Sequence, residues 1–276
     1  MRLKIACLPI CVLCMPEAMA SDQPARWEAG VGVAAMILPA YRGSDTLHRQ
    51  VLPVPYLRYE GDFIKADRHG VRGELFDSKR LEMNLSASAS PPGKSSDVVA
   101  RIGMPDLQPM VELGIQADIT LWEGGGKVPF IKLRLPVREA LTLTSPWRNA
   151  GTVFTPNLNA DLHDAGGMPG WTLGLVAGPI LASRRQNTYF YSVASEYATA
   201  SRPAYDARGG YGGSQWLMSL SRKFTNSWVG AFVRYDTLKG AVFADSPLVR
   251  QDHYASAGLA ICWIIGRSGR FSDPQQ

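Results

Sequence analysis

The residues of this chain best suited to acid–base or metal chemistry are its four histidines, His48, His69, His163 and His253. A serine hydrolase needs a serine within hydrogen-bond reach of a histidine that a carboxylate orients. Asp252 and His253, with Ser246 shortly before them, form the one arrangement of this type worth considering. None of the histidines lies in a G-x-S-x-G motif. We interpret the three residues as part of a solvated loop and predict no catalytic residue.

The sequence offers little for a metal ion or a phosphate group. It contains no H-E-x-x-H pattern, and Cys262 is the sole cysteine after residue 20, so a zinc site of paired cysteines is excluded. The stretch Gly124-Gly125-Gly126-Lys127 lacks the spacing and the following helix of a phosphate-binding loop, and it fits a turn between strands. We expect no cofactor, no metal and no enzymatic activity.

The first twenty residues have the layout of a cleaved secretory signal. Arg2 and Lys4 give a basic start, an apolar stretch follows, and the segment ends in Ala18-Met19-Ala20. About ten apolar residues are too few for the ~20 of a membrane-spanning helix. We predict cleavage after Ala20 and export of a mature chain without an internal disulfide.

Composition narrows the class of the mature chain. The sequence has 276 residues, of which 46% are hydrophobic and 19% charged, below the roughly 25% charged residues of an ordinary soluble domain. The net charge of +5 is spread along the chain, which argues against a nucleic-acid-binding patch. We predict a single domain over residues 21–265 and a polar tail over residues 266–276.

Alternation of apolar and polar residues dominates this domain. Period-2 patterns, the signature of a sheet with one apolar face, cover residues 81–89, 111–121, 131–137 and 255–265. Further strands are predicted at residues 28–38, 51–60, 69–76, 97–104, 152–162, 171–181, 188–198, 215–224 and 228–236. Turns rich in Gly and Pro separate most of them. The chain is therefore predicted to be all-β, with about twelve strands and a range of roughly 10 to 14.

Two architectures can use such strands. A soluble sandwich packs the apolar faces inside, whereas an outer-membrane barrel turns them toward lipid and keeps the polar faces in its lumen. The export signal, the ~9–11-residue strands and the charges on the polar faces favour the barrel. Tryptophans near strand ends, as in interfacial girdles, favour it too: Trp122, Trp147, Trp171, Trp216, Trp228 and Trp263. We predict a single antiparallel transmembrane β-barrel.

The charged residues on the polar faces are the candidates for a function inside that barrel. They are Glu82, Glu112, Asp118, Lys132, Arg134, Asp161, Glu196, Arg234 and Asp236. Charges of both signs in a narrow lumen are costly to bury unless they pair. One interpretation is a salt-bridged lumen that stabilises the barrel, which we favour. The other is a selective channel for small polar solutes.

Short motifs in a fixed order give the chain a resemblance to the MipA/OmpV family of outer-membrane proteins over residues 28–265. They are Pro39-x-Tyr41-x-Gly43-Ser44, Pro53-x-Pro55-x-x-x-Tyr59, Tyr189-Phe190-Tyr191-Ser192-Val193, Glu196-Tyr197-Ala198 with Ser201, Tyr205 and Gly209-Gly210, the strand Trp228-Val229-Gly230-Ala231-Phe232-Val233-Arg234-Tyr235, and Asp245-Ser246-Pro247-Leu248-Val249. Each motif is short, and their order and spacing make the match specific.

The resemblance implies an outer-membrane β-barrel in a Gram-negative bacterium. For the namesake of the family it implies a scaffold that holds a lytic transglycosylase and a bifunctional penicillin-binding protein together during murein synthesis. Other members are described as porin-like or adhesive, so a channel for small polar solutes and a surface adhesin are alternatives, as is a lipid-directed hydrolase using His253. The resemblance assigns no residue of this chain to a binding surface.

One feature departs from the usual pattern of this class of barrel. Such barrels usually end in an aromatic residue that the insertion machinery recognises. Here the last predicted strand reaches Trp263-Ile264-Ile265, a polar tail follows, and Phe271 is not terminal. We therefore expect insertion to be inefficient or to depend on an internal signal.

Overall fold

The computed structural model describes residues 26–60, 64–67, 70–73, 76–77, 80–124 and 129–268, and the side chains of residues 27–58, 80–124 and 129–268. The predicted signal segment, residues 1–20, lies outside the described residues. So does the end of the predicted tail, residues 269–276, whereas the strand before it continues to Ser268.

The described residues are almost entirely extended, as the alternating sequence predicts. They form fourteen strands and one α-helix, with short 3₁₀ turns in the loops. The strands are β1 (Arg26–Pro39), β2 (Leu47–Glu60), β3 (Ile64–Asp67), β4 (Gly70–Gly73), β5 (Phe76–Asp77), β6 (Leu81–Ser90), β7 (Met110–Trp122), β8 (Phe130–Thr142), β9 (Asn149–Phe154), β10 (Asn157–His163), β11 (Trp171–Ala182), β12 (Gly210–Lys223), β13 (Ser227–Thr237) and β14 (His253–Ser268). The helix is α1 (Arg184–Tyr191).

All fourteen strands belong to one antiparallel sheet. Its order is β4-β3-β2-β1-β14-β13-β12-β11-β10-β8-β7-β6-β5, and β9 continues the position of β10 between β8 and β11. The two ends of this order, β4 and β5, are neighbours in the chain, and β4 also lies against β6. The sheet therefore closes on itself, and the predicted all-β antiparallel class is confirmed.

The sheet has its apolar face outside and its polar face inside. On β7, Leu113 and Ile115 are each 49% exposed, whereas Asp118 is 2% exposed. On β14, Leu259, Trp263 and Ile265 are exposed, whereas Cys262 between them is buried. A water-soluble fold would bury the apolar set instead, so this inversion is the main physical fact about the sheet.

The pairing of β2 explains two prolines in its middle. Pro53 and Pro55 lie opposite β1, and among the described residues the other edge of β2 pairs only near its end, where Tyr59 and Glu60 meet β3. Proline lacks an N–H group and is tolerated where one edge of a strand is unpaired. The prolines are therefore compatible with this strand.

The four strongly alternating segments are confirmed as strands. Two of the weaker strand predictions are wrong. Residues 188–198 form the end of α1 and a 3₁₀ turn at Ser195–Tyr197, and residues 97–104 contain a 3₁₀ turn at Val99–Arg101. The aromatic residues of the first segment favour strands locally, but the Ser183 hydroxyl accepts a hydrogen bond from the Gln186 N–H and caps the start of a helix instead.

The two ends of the sheet differ. Long loops connect the strands at one end, which we call the loop end: residues 40–46, 91–109, 143–148, 183–209 and 238–252. The other end holds both Arg26 and Ser268 and the short turns, and we call it the terminal end. Among the described residues, none of the helical segments is long and apolar enough to cross a membrane.

Candidate functional site

Four of the loops pack together over the loop end. Residues 40–46, 91–109, 183–209 and 238–252 share one buried apolar cluster, and together we call them the loop cap. The strands beside the second loop, β6 and β7, lie several strands away from β1, β13 and β14 in the sheet. The cap therefore joins loops from across the mouth of the closed sheet.

Aromatic side chains form the centre of the cap. Tyr191 stacks on Phe243 with ring centroids 3.7 Å apart, and Tyr41 meets Tyr191 edge-on at 6.3 Å. The Tyr41 hydroxyl donates a 2.6 Å hydrogen bond to the Leu248 carbonyl. Leu248 is itself fully buried. Close aromatic packing of this kind adds stability beyond the burial of surface area.

Two arginines tie the second loop to the third. Arg101 donates from Nη1 to the Phe190 carbonyl at 3.2 Å, and Arg202 donates from Nη1 to the Ala100 and Ile102 carbonyls at 3.1 and 2.9 Å. These bonds satisfy backbone carbonyls that irregular loops would otherwise leave unpaired. They fix the two loops to each other.

The loop motifs among those that carry the family resemblance meet in this cap. Gly43 has φ +88°, and its carbonyl accepts hydrogen bonds from the backbone N–H groups of Arg250 and Gln251. The Ser246 hydroxyl donates to the Tyr191 carbonyl at 2.7 Å. Segments far apart in sequence therefore form one packed unit, and a loop-packing role accounts for these motifs better than separate turns do.

Burial raises the pKa of the Tyr41 hydroxyl to about 12. The nearby Arg101 opposes this shift and the nearby Asp45 reinforces it, but desolvation is the largest cause. Burial also raises the pKa of Tyr205, again to about 12, and its hydrogen bond to Asp245 adds to the shift. Both phenols are neutral hydrogen-bond donors at neutral pH.

Below the cap, the interior is held by buried ion pairs. The Asp236 side chain is fully buried; it accepts two hydrogen bonds from Arg234, at 2.6 and 2.7 Å, and one from Arg42 at 3.3 Å. Arg42 comes from the loop cap and also donates to the Tyr254 hydroxyl at 3.2 Å. A carboxylate shared by two guanidinium groups links the cap to the wall of the sheet.

Further ion pairs lie along the interior toward the terminal end. They join Arg138 to Glu112 at 3.0 Å, Lys132 to Glu82 at 2.7 Å and Lys223 to Glu28 at 2.7 Å. The partners in each pair come from different strands, so each pair crosses between parts of the wall. The favoured sequence interpretation, a lumen whose charges pair, agrees with these contacts.

The structure places nearly all of the predicted polar-face residues on the inner face. The predicted residues that occupy inward-facing positions of their strands are Glu82, Glu112, Asp118, Lys132, Arg134, Asp161, Arg234 and Asp236. Glu196 was wrongly assigned to this set: it lies exposed in the 3₁₀ turn at Ser195–Tyr197, because that segment is not a strand.

Sequence reasoning missed four of the paired residues. Glu28, Arg138 and Lys223 have the inward parity of their strands, so strict extension of the alternation would have found them. Arg42 lies in a loop, where no period applies, and its place in the lumen results from the folding of the cap.

The cap and the wall enclose a cavity of about 310 Å³, which we call the chamber. Charged residues on its lining are Arg42, Arg138, Arg234 and Glu112, and Tyr41, Tyr191 and Tyr254 supply aromatic surface. The chamber lies between the packed loops and the deeper ion pairs. Both charged and aromatic side chains therefore line it.

The residues considered for serine chemistry are not arranged as a triad. The Ser246 hydroxyl is buried against the Tyr191 carbonyl, whereas His253 is exposed and bonds to the carboxylate of its neighbour Asp252. Within the described ranges, no group of three or more His, Cys, Asp or Glu side chains is placed to hold a metal ion.

A comparison with known protein families shows to which family the chain belongs. A family model described as "MltA-interacting protein MipA" matches residues 31–265. The chain belongs to the MipA family. The matched range runs from β1 to β14 and includes the whole loop cap, so the family resemblance of the short motifs is confirmed. No curated protein matches the chain.

Family membership and the inverted sheet indicate the same kind of protein. A MipA-family chain with a β-rich fold is of the outer-membrane type. Its outer face carries large exposed apolar side chains on most of the long strands, among them Val31, Leu85, Leu113, Leu175 and Leu259. A continuous apolar surface of this extent marks contact with a lipid or protein surface rather than with water.

Proposed function

We propose that this protein is an integral outer-membrane β-barrel that recruits a lytic transglycosylase to the membrane from the periplasmic side. The observation that carries the membrane assignment is the inverted sheet, with charged side chains such as Asp118 and Asp236 buried inside and an apolar face outside. A bilayer requires backbone groups to be paired within the protein, and closure of a sheet is the way in which strands meet that requirement. The description of the family supports the transglycosylase as the partner.

Tryptophans at the terminal end support a membrane boundary there. Trp27, Trp122 and Trp263 are 38%, 54% and 49% exposed and lie where their strands approach that end. Amphipathic rings concentrate at the level of the lipid headgroups. Trp147, 69% exposed in a turn at the loop end, suits the opposite boundary.

The orientation follows from the proposed signal. Export and cleavage after Ala20 leave the new N-terminus in the periplasm, and β1 begins only a few residues later, at Arg26. The terminal end then faces the periplasm, and the loop cap faces outward. The turns 164–170 and 224–226 are on the murein side, where they form the proposed docking surface for the transglycosylase.

Of these turns, 164–170 is the most suitable for substitution. Asp164 accepts a hydrogen bond from the Gly170 N–H, so the turn is a self-contained structure, and Met168 is 45% exposed at its tip. The scaffold becomes complete if a bifunctional penicillin-binding protein binds the transglycosylase or a neighbouring turn. The membrane barrel then supplies a fixed point for both enzymes.

The test is retention of a purified lytic transglycosylase by the detergent-solubilised protein on beads. The unmodified protein is expected to retain the enzyme, and replacing turn 164–170 with a short Gly-Ser turn is expected to weaken retention. The matched control replaces turn 143–148 at the loop end and is expected to retain the enzyme fully. If the unmodified protein retains no transglycosylase, the docking role is wrong, whatever the result for membrane insertion.

The alternative of a passive channel is less well supported. The loop cap packs across the mouth, and ion-paired side chains line the inner face of the wall beneath it. In planar bilayers the protein is therefore expected to show no steady open current. A stable single-channel conductance would favour the channel over the scaffold.

A further inference from the structure

The chamber carries an excess of positive charge. Its three arginines face two carboxylates: Glu112 pairs with Arg138, and Asp236 is shared by Arg42 and Arg234. Three positive and two negative charges leave one positive charge. In an enclosed site such a charge favours an anion, because water screens it less than at a surface.

Arg42 has a hydrogen-bond donor to spare in this site. Its Nε and Nη1 groups donate to Asp236, Tyr254 and the Gly212 carbonyl, whereas Nη2 is buried without a partner. The Tyr254 hydroxyl accepts from Arg42, which leaves the phenol hydrogen for a second acceptor. Both residues line the chamber, where the positive charge is in excess.

Arg42 is fixed in its charged form. Burial acts to lower the pKa of its guanidinium, but the oxygens of Tyr254, Tyr191 and Asp236 outweigh that effect, and the net shift is upward. Arg138 and Glu112 neutralise each other on the opposite wall. The site therefore keeps its positive charge over the whole physiological range of pH.

Gln186 supplies a hydrogen-bond acceptor, whereas Arg42 and Tyr254 supply donors. It is 6% exposed and lines the chamber, and its Oε1 atom is buried without a partner. Buried polar atoms are nearly always paired, so an unpaired carbonyl on a residue that lines a cavity indicates a missing donor. A hydroxyl group is the natural donor for it, whereas a bare anion offers none.

We propose that the chamber is a binding site for a small hydroxylated organic acid of the sugar-acid class. Its carboxylate meets Arg42 Nη2 and the Tyr254 hydroxyl, and one of its hydroxyls donates to Gln186 Oε1. A volume of about 310 Å³ suits a single sugar-sized ring, and Tyr191 and Phe190 offer aromatic surface for it. The inference does not depend on the transglycosylase-docking role.

Calorimetric titration of the detergent-solubilised protein tests this proposal with three probes. Glucuronate has both the carboxylate and the hydroxyls, glucose lacks the charge, and acetate lacks the hydroxyls. We expect glucuronate to bind at least ten times more tightly than either of the others. Equal binding of glucose, or no detectable binding of glucuronate at millimolar concentration, overturns the proposal.

Gln186→Glu is the decisive variant because it is isosteric and cancels the excess positive charge. It is expected to weaken glucuronate binding at least ten-fold. The matched control is Gln50→Glu, since the Gln50 Oε1 is also buried without a partner but the residue does not line the chamber. Equal losses in the two variants, or no loss in Gln186→Glu, contradict the site.

A second variant separates binding from folding. Gln186→Leu keeps the charge of the chamber and removes the acceptor, so it is expected to weaken glucuronate binding while leaving acetate binding unchanged. Each variant is first checked for the faster gel migration of the unheated barrel. A folded Gln186→Leu protein with unchanged glucuronate affinity also contradicts the proposal.

Discussion

At the scale of single residues, position relative to the closed sheet decides what a charge does. Asp236 is fully buried and holds two arginines, whereas Asp206 pairs with Arg184 at a site where both side chains are 67% exposed. The buried carboxylate cannot be removed without leaving uncompensated positive charge in the interior. The exposed carboxylate can be removed at little cost, because water then solvates Arg184 and salt already screens the pair.

Asp236→Asn is therefore expected to be strongly destabilising, by about 3–5 kcal/mol of unfolding free energy. Asp206→Asn, the exposed counterpart, is expected to change it by only about 0–1 kcal/mol. Urea unfolding in detergent micelles, followed by tryptophan fluorescence, measures both. Similar losses for the two variants would mean that the interior pairs are not desolvated.

The raised pKa of Tyr41 predicts how the stability of the loop cap changes at alkaline pH. Its pKa is about 12 in the folded cap against about 10 in the unfolded chain, so above pH 10 the unfolded state loses its proton first. This contribution to stability, roughly 2–3 kcal/mol, is complete below pH 10 and is lost as the pH rises to about 12. The free energy of unfolding, measured by urea titration at fixed pH values, should fall over that interval.

Tyr41→Phe provides the control for this titration. The variant loses the hydrogen bond to the Leu248 carbonyl, which costs about 1 kcal/mol at neutral pH. It should also lose part of the alkaline sensitivity, and the other cap tyrosines whose pKa burial raises, Tyr189, Tyr191 and Tyr205, contribute what is left. An unchanged pH dependence in Tyr41→Phe would assign the effect to other groups.

At the scale of elements, alternation predicted the strands because side chains in the sheet face only two environments. The pattern from Val111 to Leu121 was sufficient to place Glu112 and Asp118 inside and Leu113 and Ile115 outside. It could not predict α1, since the helix is stabilised by loops that are distant in sequence. The contact of Tyr191 with Phe243 joins two such loops, and no local period encodes it.

The same limit applies to the candidate site. Parity located most of the lumen charges, but the chamber depends on Arg42 and Gln186, which lie in the loop cap. Their roles follow from the way loops pack over the mouth. A sequence pattern describes a strand face well and describes the meeting of four loops poorly.

The close approach of β7 and β8 gives a prediction at the element scale. A Cβ atom on Gly114 would lie 1.9 Å from the Val137 carbonyl oxygen, so Gly114→Ala must displace the pairing of the two strands. We expect it to cost about 1–3 kcal/mol or more of unfolding free energy. Chemical denaturation of the folded barrel measures this cost.

Gly93→Ala is the control for that substitution. A Cβ atom on Gly93 would meet Leu107 at an ordinary 3.7 Å, so the change is expected to stay within about 1 kcal/mol. A Gly114→Ala variant as stable as Gly93→Ala would show that β7 and β8 are further apart than described.

At the scale of the whole molecule, the closed sheet and its outward apolar face predict how the protein behaves in detergent. A closed sheet in which every long strand is paired resists sodium dodecyl sulfate until it is heated. The mature protein is expected to migrate faster on a gel when unheated than when boiled. Equal migration, together with solubility in the absence of detergent, would contradict the membrane barrel.

The pairing of β1 with β14 has a consequence for biogenesis. The backbone N–H of Trp27 donates a 3.3 Å hydrogen bond to the Ser268 hydroxyl, and the two residues are 241 positions apart in the chain. Bringing such distant segments together costs roughly 5 kcal/mol of loop-closure entropy. The contact between β1 and β14, which we call the seam, cannot form before the final strand has been exported. In the proposed outer-membrane setting, the apolar outer side chains have no lipid until then, and the β14-facing edge of β1 has no partner. The time between translocation and seam closure is when this chain is most prone to aggregate, so a periplasmic holding chaperone should govern its yield more than its final stability does.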